Sequence, residues 1–309
     1  MKVAVVGAGA MGSLFGGFLS EHGHDVTCID VWAEHVEALN RDGLRIEGVS
    51  GDRVVPLKAV TDPARVGPVD LIIIFVKAYH TEGAVKAAKP MLGSDTMVVT
   101  FQNGLGNIEA IERHVPRAQI LGGVTSWGAT MLGPGRVRHA GVGDSFVGEL
   151  DGAMTTRLQV LSEAFTSSGI VLKPTDNILG LLWSKLLVNI GINALTAILR
   201  VHNGRLVQYP GSDQLLALAV SEAVEVAKAK GIRLLYGEPV AKVRDVCGLT
   251  AQNRSSMLQD VLAGRRTEID FINGAIVREG EALGVHTPVN LVLTQIVKTI
   301  EQTYDIRVS

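Results

Sequence analysis

The first half of the chain alternates short apolar runs with glycine-punctuated turns. Lys2-Val-Ala-Val-Val6, Asp25–Ile29, Asp70–Lys77 and Thr96–Asn103 are apolar almost throughout, as strands buried on both faces of a parallel sheet must be. Gln119–Val124, Arg136–His139 and Ser145–Val147 read as later strands, and the Gly133-Pro-Gly135 turn between them predicts a hairpin-like, partly antiparallel edge. Past Val171–Asp176 the apolar positions change to long helical periodicities. Helices are predicted over about 177–200, 212–230, 237–246, 255–263, 266–283 and 288–303. The pattern therefore predicts an α/β sheet domain over residues 1–173 and an all-α domain over residues 174–309.

The first strand runs directly into Gly7-Ala8-Gly9-Ala10-Met11-Gly12 and then a helical stretch. Gly7 permits the tight turn, Gly9 lets a pyrophosphate approach the backbone, and Gly12 lets helix and strand pack closely. The phosphates then sit over free N–H groups at the helix start. The second strand ends in Asp30, 18 positions past Gly12, where a ribose-binding carboxylate belongs. Together these predict a Rossmann-type dinucleotide-binding domain. A carboxylate at Asp30 accepts from both ribose hydroxyls and repels a 2′-phosphate, and Val31-Trp32-Ala33 offers no arginine to receive one. That favours NADH over NADPH. The plainer alternative is that Asp30 caps the next helix.

The longest apolar run, Leu181–Ala197, carries Lys185, Asn189 and Asn193 at spacings of four. Such residues share one face of a helix, so an ammonium and two amides form a narrow polar row on an oily rod. A buried lysine without partners is costly or loses its proton, and a cavity holding a polar, anionic ligand explains the row. Alternatively the row is simply the wet face of an amphipathic helix. A membrane span is disfavoured, because lysine and asparagine are expensive in lipid.

Other polar groups fall at strand and helix ends. Lys77 and Asn103 end two successive strands, beyond which ligands bind in open α/β sheets, although Asn103-Gly104 is also a favoured turn. Ser256, with Gln259 three positions on, fits a capping box at a helix start that would also receive a carboxylate. Glu268 lies four before Ile272 and eight before Ile276, placing it on an inward helical face, with an ion pair to Arg265 as the alternative. Asn203-Gly204 reads as a helix-ending turn, and His139 as a structural residue.

Composition narrows the function classes. With 29 Lys plus Arg against 31 Asp plus Glu, no basic stripe points to nucleic acid. Cys28 and Cys247 stand far apart and form no metal-like or redox-like pair, so no metal is expected and two reduced core thiols in a cytoplasmic protein are. The N-terminus opens at once into a strand, without an export signal.

Taken together, Gly7–Gly12, Phe75-Val-Lys77, Gln102-Asn103-Gly104, Trp183-Ser-Lys185 with Asn189 and Asn193, Asn203-Gly204, Ser255–Asp260 and Arg266–Gly274 resemble the ketopantoate reductase (2-dehydropantoate 2-reductase) family. The resemblance implies a Rossmann domain joined to a helical domain, with the active site in the cleft between them. It implies NAD(P)H-dependent reduction of ketopantoate to (R)-pantoate, on the route to vitamin B5 and coenzyme A. Lys185 would then be the general acid and Glu268 the second catalytic group, near both ligands. Asn103, Asn189, Asn193, Asn203 and Ser256, with Lys185, would hold the substrate. Lys77, Asn103 and Ala129 would touch the cofactor. The resemblance also implies a homodimer through the helical domain. In one respect the chain departs from the pattern: the family usually takes NADPH and has an arginine after the second strand, where this chain has Asp30-Val31. That departure raises a second reading, an NAD-dependent D-2-hydroxyacid dehydrogenase acting on branched or aromatic 2-keto acids. A reading of another class is a nicotinamide-nucleotide sensor without turnover, for which Lys185 and Glu268 would not be needed.

Overall fold

The structure is a computed structural model describing residues 1–306. The chain divides into two compact units, Met1–Gln102 with Asn107–Ile178, and Asn103–Gly106 with Leu179 onwards. The first unit comprises β1 (Lys2–Val6), α1 (Ala10–Glu21), β2 (Asp25–Ile29), α2 (Ala33–Asp42), β3 (Leu44–Gly48), β4 (Arg53–Val55) and β5 (Lys58–Val60). It continues through β6 (Leu71–Ile74), α3 (Thr81–Ala88), β7 (Met97–Thr100), α4 (Asn107–Glu112), β8 (Ile120–Thr125) and β9 (Gly128–Gly133). It closes with β10 (Arg136–Gly141), β11 (Ser145–Glu149), α5 (Thr156–Ser167) and β12 (Leu172–Pro174).

Eight strands form one sheet in the order β12-β11-β8-β7-β6-β1-β2-β5. Neighbours from β5 to β8 are all parallel, and β11 turns antiparallel against β8. The chain fills one side of β1 and then the other, so the strand order reverses there, the place where such sheets bind ligands. Register makes the strand ends level: Val6 stands opposite Ile29 and Ile74, and Ile74 opposite Thr100. Gly7, Asp30, Phe75 and Phe101 consequently leave the sheet along one edge.

A second, four-stranded sheet has the order β4-β3-β10-β9. Helix α1 touches both sheets through glycine. A Cβ on Gly16 would stand 2.9 Å from the Cys28 sulfur, and one on Gly17 2.8 Å from Leu44 Cδ2. The hairpin predicted around Gly133-Pro-Gly135 is β9–β10, in this second sheet. Its first arm escapes the sequence pattern because all six residues are half-buried, with no alternation to read.

The second unit is helical: α6 (Ile178–Leu199), α7 (Pro210–Ala229), α8 (Pro239–Leu249), α9 (Ser256–Leu262), α10 (Asn273–Leu283) and α11 (Pro288–Gln302). Among the described residues α6 is the one helix long and apolar enough to cross a membrane, with mean hydropathy 1.6, and most of it is buried. Gly191, on its inner side, meets Val243 of α8 and Val220 and Leu216 of α7. The predicted helix over 266–283 is interrupted. A 3-10 turn occupies Ile269–Phe271, and Ile272, at φ −108° and ψ −95°, breaks the backbone before α10 begins.

Candidate active site

At the end of β1 the chain turns through Gly7 at φ +96°, a left-handed conformation that favours glycine. A Cβ there would lie 2.6 Å from the Val76 nitrogen, and one on Gly12 would lie 1.9 Å from the Gly7 carbonyl oxygen. Gly9 differs: it is exposed at the start of α1, and a Cβ on it would meet nothing within 4 Å. Two glycines are thus required by packing and the third fronts open space, as a backbone must that admits a pyrophosphate over Ala10 and Met11.

The intervening Ala8 is held from below. The Ser13 hydroxyl donates to the Ala8 carbonyl at 2.7 Å and lies 3.1 Å from His35 Nε2. Gly135 N–H donates to His35 Nδ1 at 2.9 Å. With Nδ1 accepting, the proton of neutral His35 sits on Nε2, and burial pushes the imidazole pKa down, in keeping with that form.

Asp30 is half-buried at the end of β2, and its carboxylate accepts from the Trp32 N–H at 3.0 Å. It does not cap α2, whose first residue follows Trp32 with no side-chain cap. Together with burial, its charge pushes the Cys28 thiol up to about 12. Val31 beside it is 93% exposed. Lys77 is half-buried where a 3-10 turn, Ala78–His80, begins. Ala129 sits in β9, opposite His139. The His139 ring stacks on Trp127 at 4.4 Å, an aromatic packing role. These cofactor candidates all belong to the first unit.

The second unit gathers the rest: Asn103, Lys185, Asn189, Asn193, Asn203, Ser256 and Glu268. Asn103 joins it because Gly104, at φ +85°, seats against Phe271. A Cβ there would be 2.5 Å from the Phe271 oxygen, which also accepts from Leu105 N–H at 2.9 Å. Along α6, Lys185 and Asn189 are half-buried and Asn193 is buried, which answers the wet-face alternative. Burial pushes Lys185 down from 10.5 to about 8, against the charge of Glu268, which pulls it back up. Asn189 Nδ2 is buried without a hydrogen-bond partner. Asn193 Nδ2 reaches the Ser256 hydroxyl at 3.5 Å. Asn203 donates through Nδ2 to Thr250 at 3.0 Å, and its buried Oδ1 has no partner. Since Thr250 in turn donates to the Val246 carbonyl, the Asn203 amide has one orientation, with an acceptor left over.

Two local readings change. The capping serine of α9 is Ser255, which accepts from Leu258 N–H at 3.1 Å, and Gln259 turns back to the Arg254 carbonyl. Ser256, released from capping, is exposed. Glu268 is buried at the start of the 3-10 turn, so no helical face aligns it with Ile272 and Ile276. Arg265 pairs with Asp260 at 3.0 Å. One residue passed over in the sequence also emerges. Thr196, three after Asn193, lies 2.7 Å from Ser255 and binds the helix backbone at Ile192, joining α6 to the start of α9. Among the described residues, no group of three His, Cys, Asp or Glu is placed to hold a metal ion.

Sequence models described as ketopantoate reductase PanE/ApbA and its C-terminal region match residues 3–152 and 177–301. The chain belongs to the ketopantoate reductase family. A 2-dehydropantoate 2-reductase of Halobacterium salinarum is 38% identical, over 98% of this chain and 99% of the relative. A ketopantoate reductase structure from Ralstonia eutropha JMP134 superposes with a TM-score of 0.92 at 36% identity, covering 98% of this chain and 99% of that one. D-mandelate dehydrogenase, solved with NADH and anilino(oxo)acetate, also reaches 0.92 at 34% identity, covering 99% and 100%. Membership in the ketopantoate reductase family makes the chain an oxidoreductase and sets aside the sensor reading.

Proposed function

We propose that the chain reduces the 2-keto group of ketopantoate to (R)-pantoate with NAD(P)H. The observation that carries this is the placement of Lys185, half-buried in a row with Asn189 and Asn193, where burial lowers its pKa to about 8 against the upward pull of Glu268. The glycine turn and Asp30 fit the dinucleotide, which supplies the hydride when bound.

Negative charge develops on the carbonyl oxygen as C2 is reduced. Lys185 stabilises that charge more in the transition state than in the ground state, and then gives the oxygen its proton. Asn103 adds an amide donor. Asn189 Nδ2, a buried donor with no partner, suits the keto acid's own oxygens. Asn203 Oδ1, a buried acceptor with no partner, suits a hydroxyl. Ketopantoate has such a distal hydroxyl and phenylglyoxylate does not. Asn193 and Ser256 supply further polar contacts to the substrate.

Two finer points belong to the same reading. NADH is the favoured cofactor, because Asp30 occupies the position where a 2′-phosphate would need a cation; NADPH remains the family's usual one. The protein works in the cytoplasm as a homodimer through the helical unit, where Leu215, Leu218, Leu291, Val292 and Ile296 of α7 and α11 are exposed. The likeness to D-mandelate dehydrogenase, with the Asp30-Val31 pair, favours a second reading, a D-2-hydroxyacid dehydrogenase for bulkier 2-keto acids. Steady-state kcat/KM for ketopantoate, 2-ketoisovalerate and phenylglyoxylate, each with NADH and NADPH, tests both. Ketopantoate should lead. A lead for phenylglyoxylate would transfer the chain to the second reading, and no oxidation of either cofactor with any keto acid would sink both.

A further inference from the structure

Two strand-end segments, Phe75-Val-Lys77 and Phe101-Gln-Asn103, leave neighbouring strands side by side. Their rings stack, Phe75 on Phe101, at 5.7 Å and 15°. Next to that stack lies Gln102, 8% exposed, with both ends of its side chain engaged. Nε2 donates to the Val76 carbonyl at 2.6 Å and to the Thr81 hydroxyl at 2.8 Å. Oε1 accepts from the Thr100 hydroxyl at 2.9 Å. Thr81 passes its own proton to Asn107 Oδ1 at 3.0 Å. Because the Val76 carbonyl only accepts, the Gln102 amide cannot be reversed. Thr81, Thr100 and Asn107 are themselves buried, so the network is shielded from water and highly directional.

Val76 links two successive peptides, each carrying a group assigned to the cofactor: Gly7 lies on the Phe75–Val76 peptide, and Lys77 supplies the nitrogen of the Val76–Lys77 peptide whose carbonyl Gln102 holds. Gly7 rests on the first of these, so closely that a Cβ would stand 2.6 Å from the Val76 nitrogen and 2.8 Å from the Phe75 carbonyl carbon. Lys77 follows directly on the second, leading into the 3-10 turn at φ −60° and ψ 142°. The stacked rings hold the two segments together through their side chains and make no contact that orients the Val76 carbonyl. The hydrogen bond from Gln102 orients that carbonyl, and with it the Val76–Lys77 peptide directly and the Phe75–Val76 peptide through the Val76 backbone.

We propose that Gln102 is a positioning residue for the dinucleotide, acting through the Val76 backbone directly on Lys77 and, one peptide further, on the Gly7 turn. The inference rests on the reading of those two groups as cofactor-binding. It assigns Thr81 the supporting part, that of aiming the Gln102 amide.

The test is titration of the full-length chain with NADH and with NADPH, followed by nicotinamide fluorescence, for the wild type, Gln102→Leu, Thr81→Val and Thr81→Ser. Kd for the better cofactor should rise about tenfold in Gln102→Leu, the scale of one buried hydrogen bond lost, and less in Thr81→Val. Thr81→Ser keeps the hydroxyl and should bind as the wild type does. In the variants that fold, kcat at saturating cofactor and keto acid should stay within about threefold of wild type, since no transition-state contact is removed. A purely structural role would lower the unfolding temperature and leave Kd alone. Unchanged Kd in both Gln102→Leu and Thr81→Val, or a Thr81→Ser as weak as Thr81→Val, overturns the inference. Should Gln102→Leu fail to fold, Thr81→Val decides. A wild type that binds neither cofactor is a different result, and sinks the dinucleotide reading itself.

Discussion

The negative charge of Glu268 pulls the pKa of Lys185 upward while burial pushes it down, and burial prevails, leaving the amine at about 8. The reduction needs Lys185 protonated. Its rate should therefore fall as pH rises through about 8, whereas oxidation of the alcohol, which needs the empty amine, should rise over the same interval. Glu268→Gln removes the upward pull, so the descending limb should move to lower pH. Rate profiles at saturating cofactor for wild type and Glu268→Gln measure this, and a limb that stays put in the variant would contradict the coupling.

Lys185 should matter for turnover and cost stability. Lys185→Ala should lower kcat by at least about a hundredfold, the scale of general acid catalysis, with NADH binding unchanged. Lowering the pKa from 10.5 to about 8 corresponds to roughly 3 kcal/mol of native-state cost wherever the unfolded lysine is charged as well. The cost is complete below about 8 and is relieved as pH climbs towards 10.5, because there the unfolded chain binds the extra proton. Lys185→Met should thus be inactive and more stable at pH 7, by up to about 3 kcal/mol in urea unfolding. Equal or lower stability would mean that burial is not what depresses the amine.

Asp30 is the cofactor discriminator in this reading. Asp30→Asn retains an acceptor for the ribose hydroxyls and removes the charge that repels a 2′-phosphate. The ratio of kcat/KM for NADH to that for NADPH should exceed one in the wild type and shrink in the variant, by about tenfold for one charge contact. A wild-type preference for NADPH would refute the assignment.

Gly9 and Gly12 should separate binding from folding. Gly12→Ala drives a methyl to 1.9 Å from the Gly7 carbonyl, so it should destabilise the first unit by several kcal/mol and lower the unfolding temperature. Gly9→Ala meets open space and should fold normally while weakening cofactor binding. Equal unfolding temperatures for the two variants would show that Gly12 is not packed as described.

The parts of this protein legible in its sequence are those decided by near neighbours. The glycine turn follows from residues 7–12, and the polar row of α6 from a spacing of four, whatever else the chain does. The cap of α9 was not legible. Ser255 and Ser256 are equivalent locally, and the choice between them goes with Thr196, 59 residues away, which lies against Ser255. Glu268 misled for the same reason: Glu268, Ile272 and Ile276 hold helical spacing, but the backbone breaks at Ile272. The partners of Asn203 and Gln102 lie 47 and 26 residues off, beyond any local pattern.

The short segment Asn103–Gly106 belongs to the helical unit although it is spelled out inside the sheet unit's sequence. The helical part is therefore not a cassette that begins at Leu179. A fragment starting there would lack Leu105, leaving the Phe271 carbonyl without its donor three residues after Glu268. Gene fusion or exchange of this part between relatives should succeed only when the residue 103–106 insert travels with it.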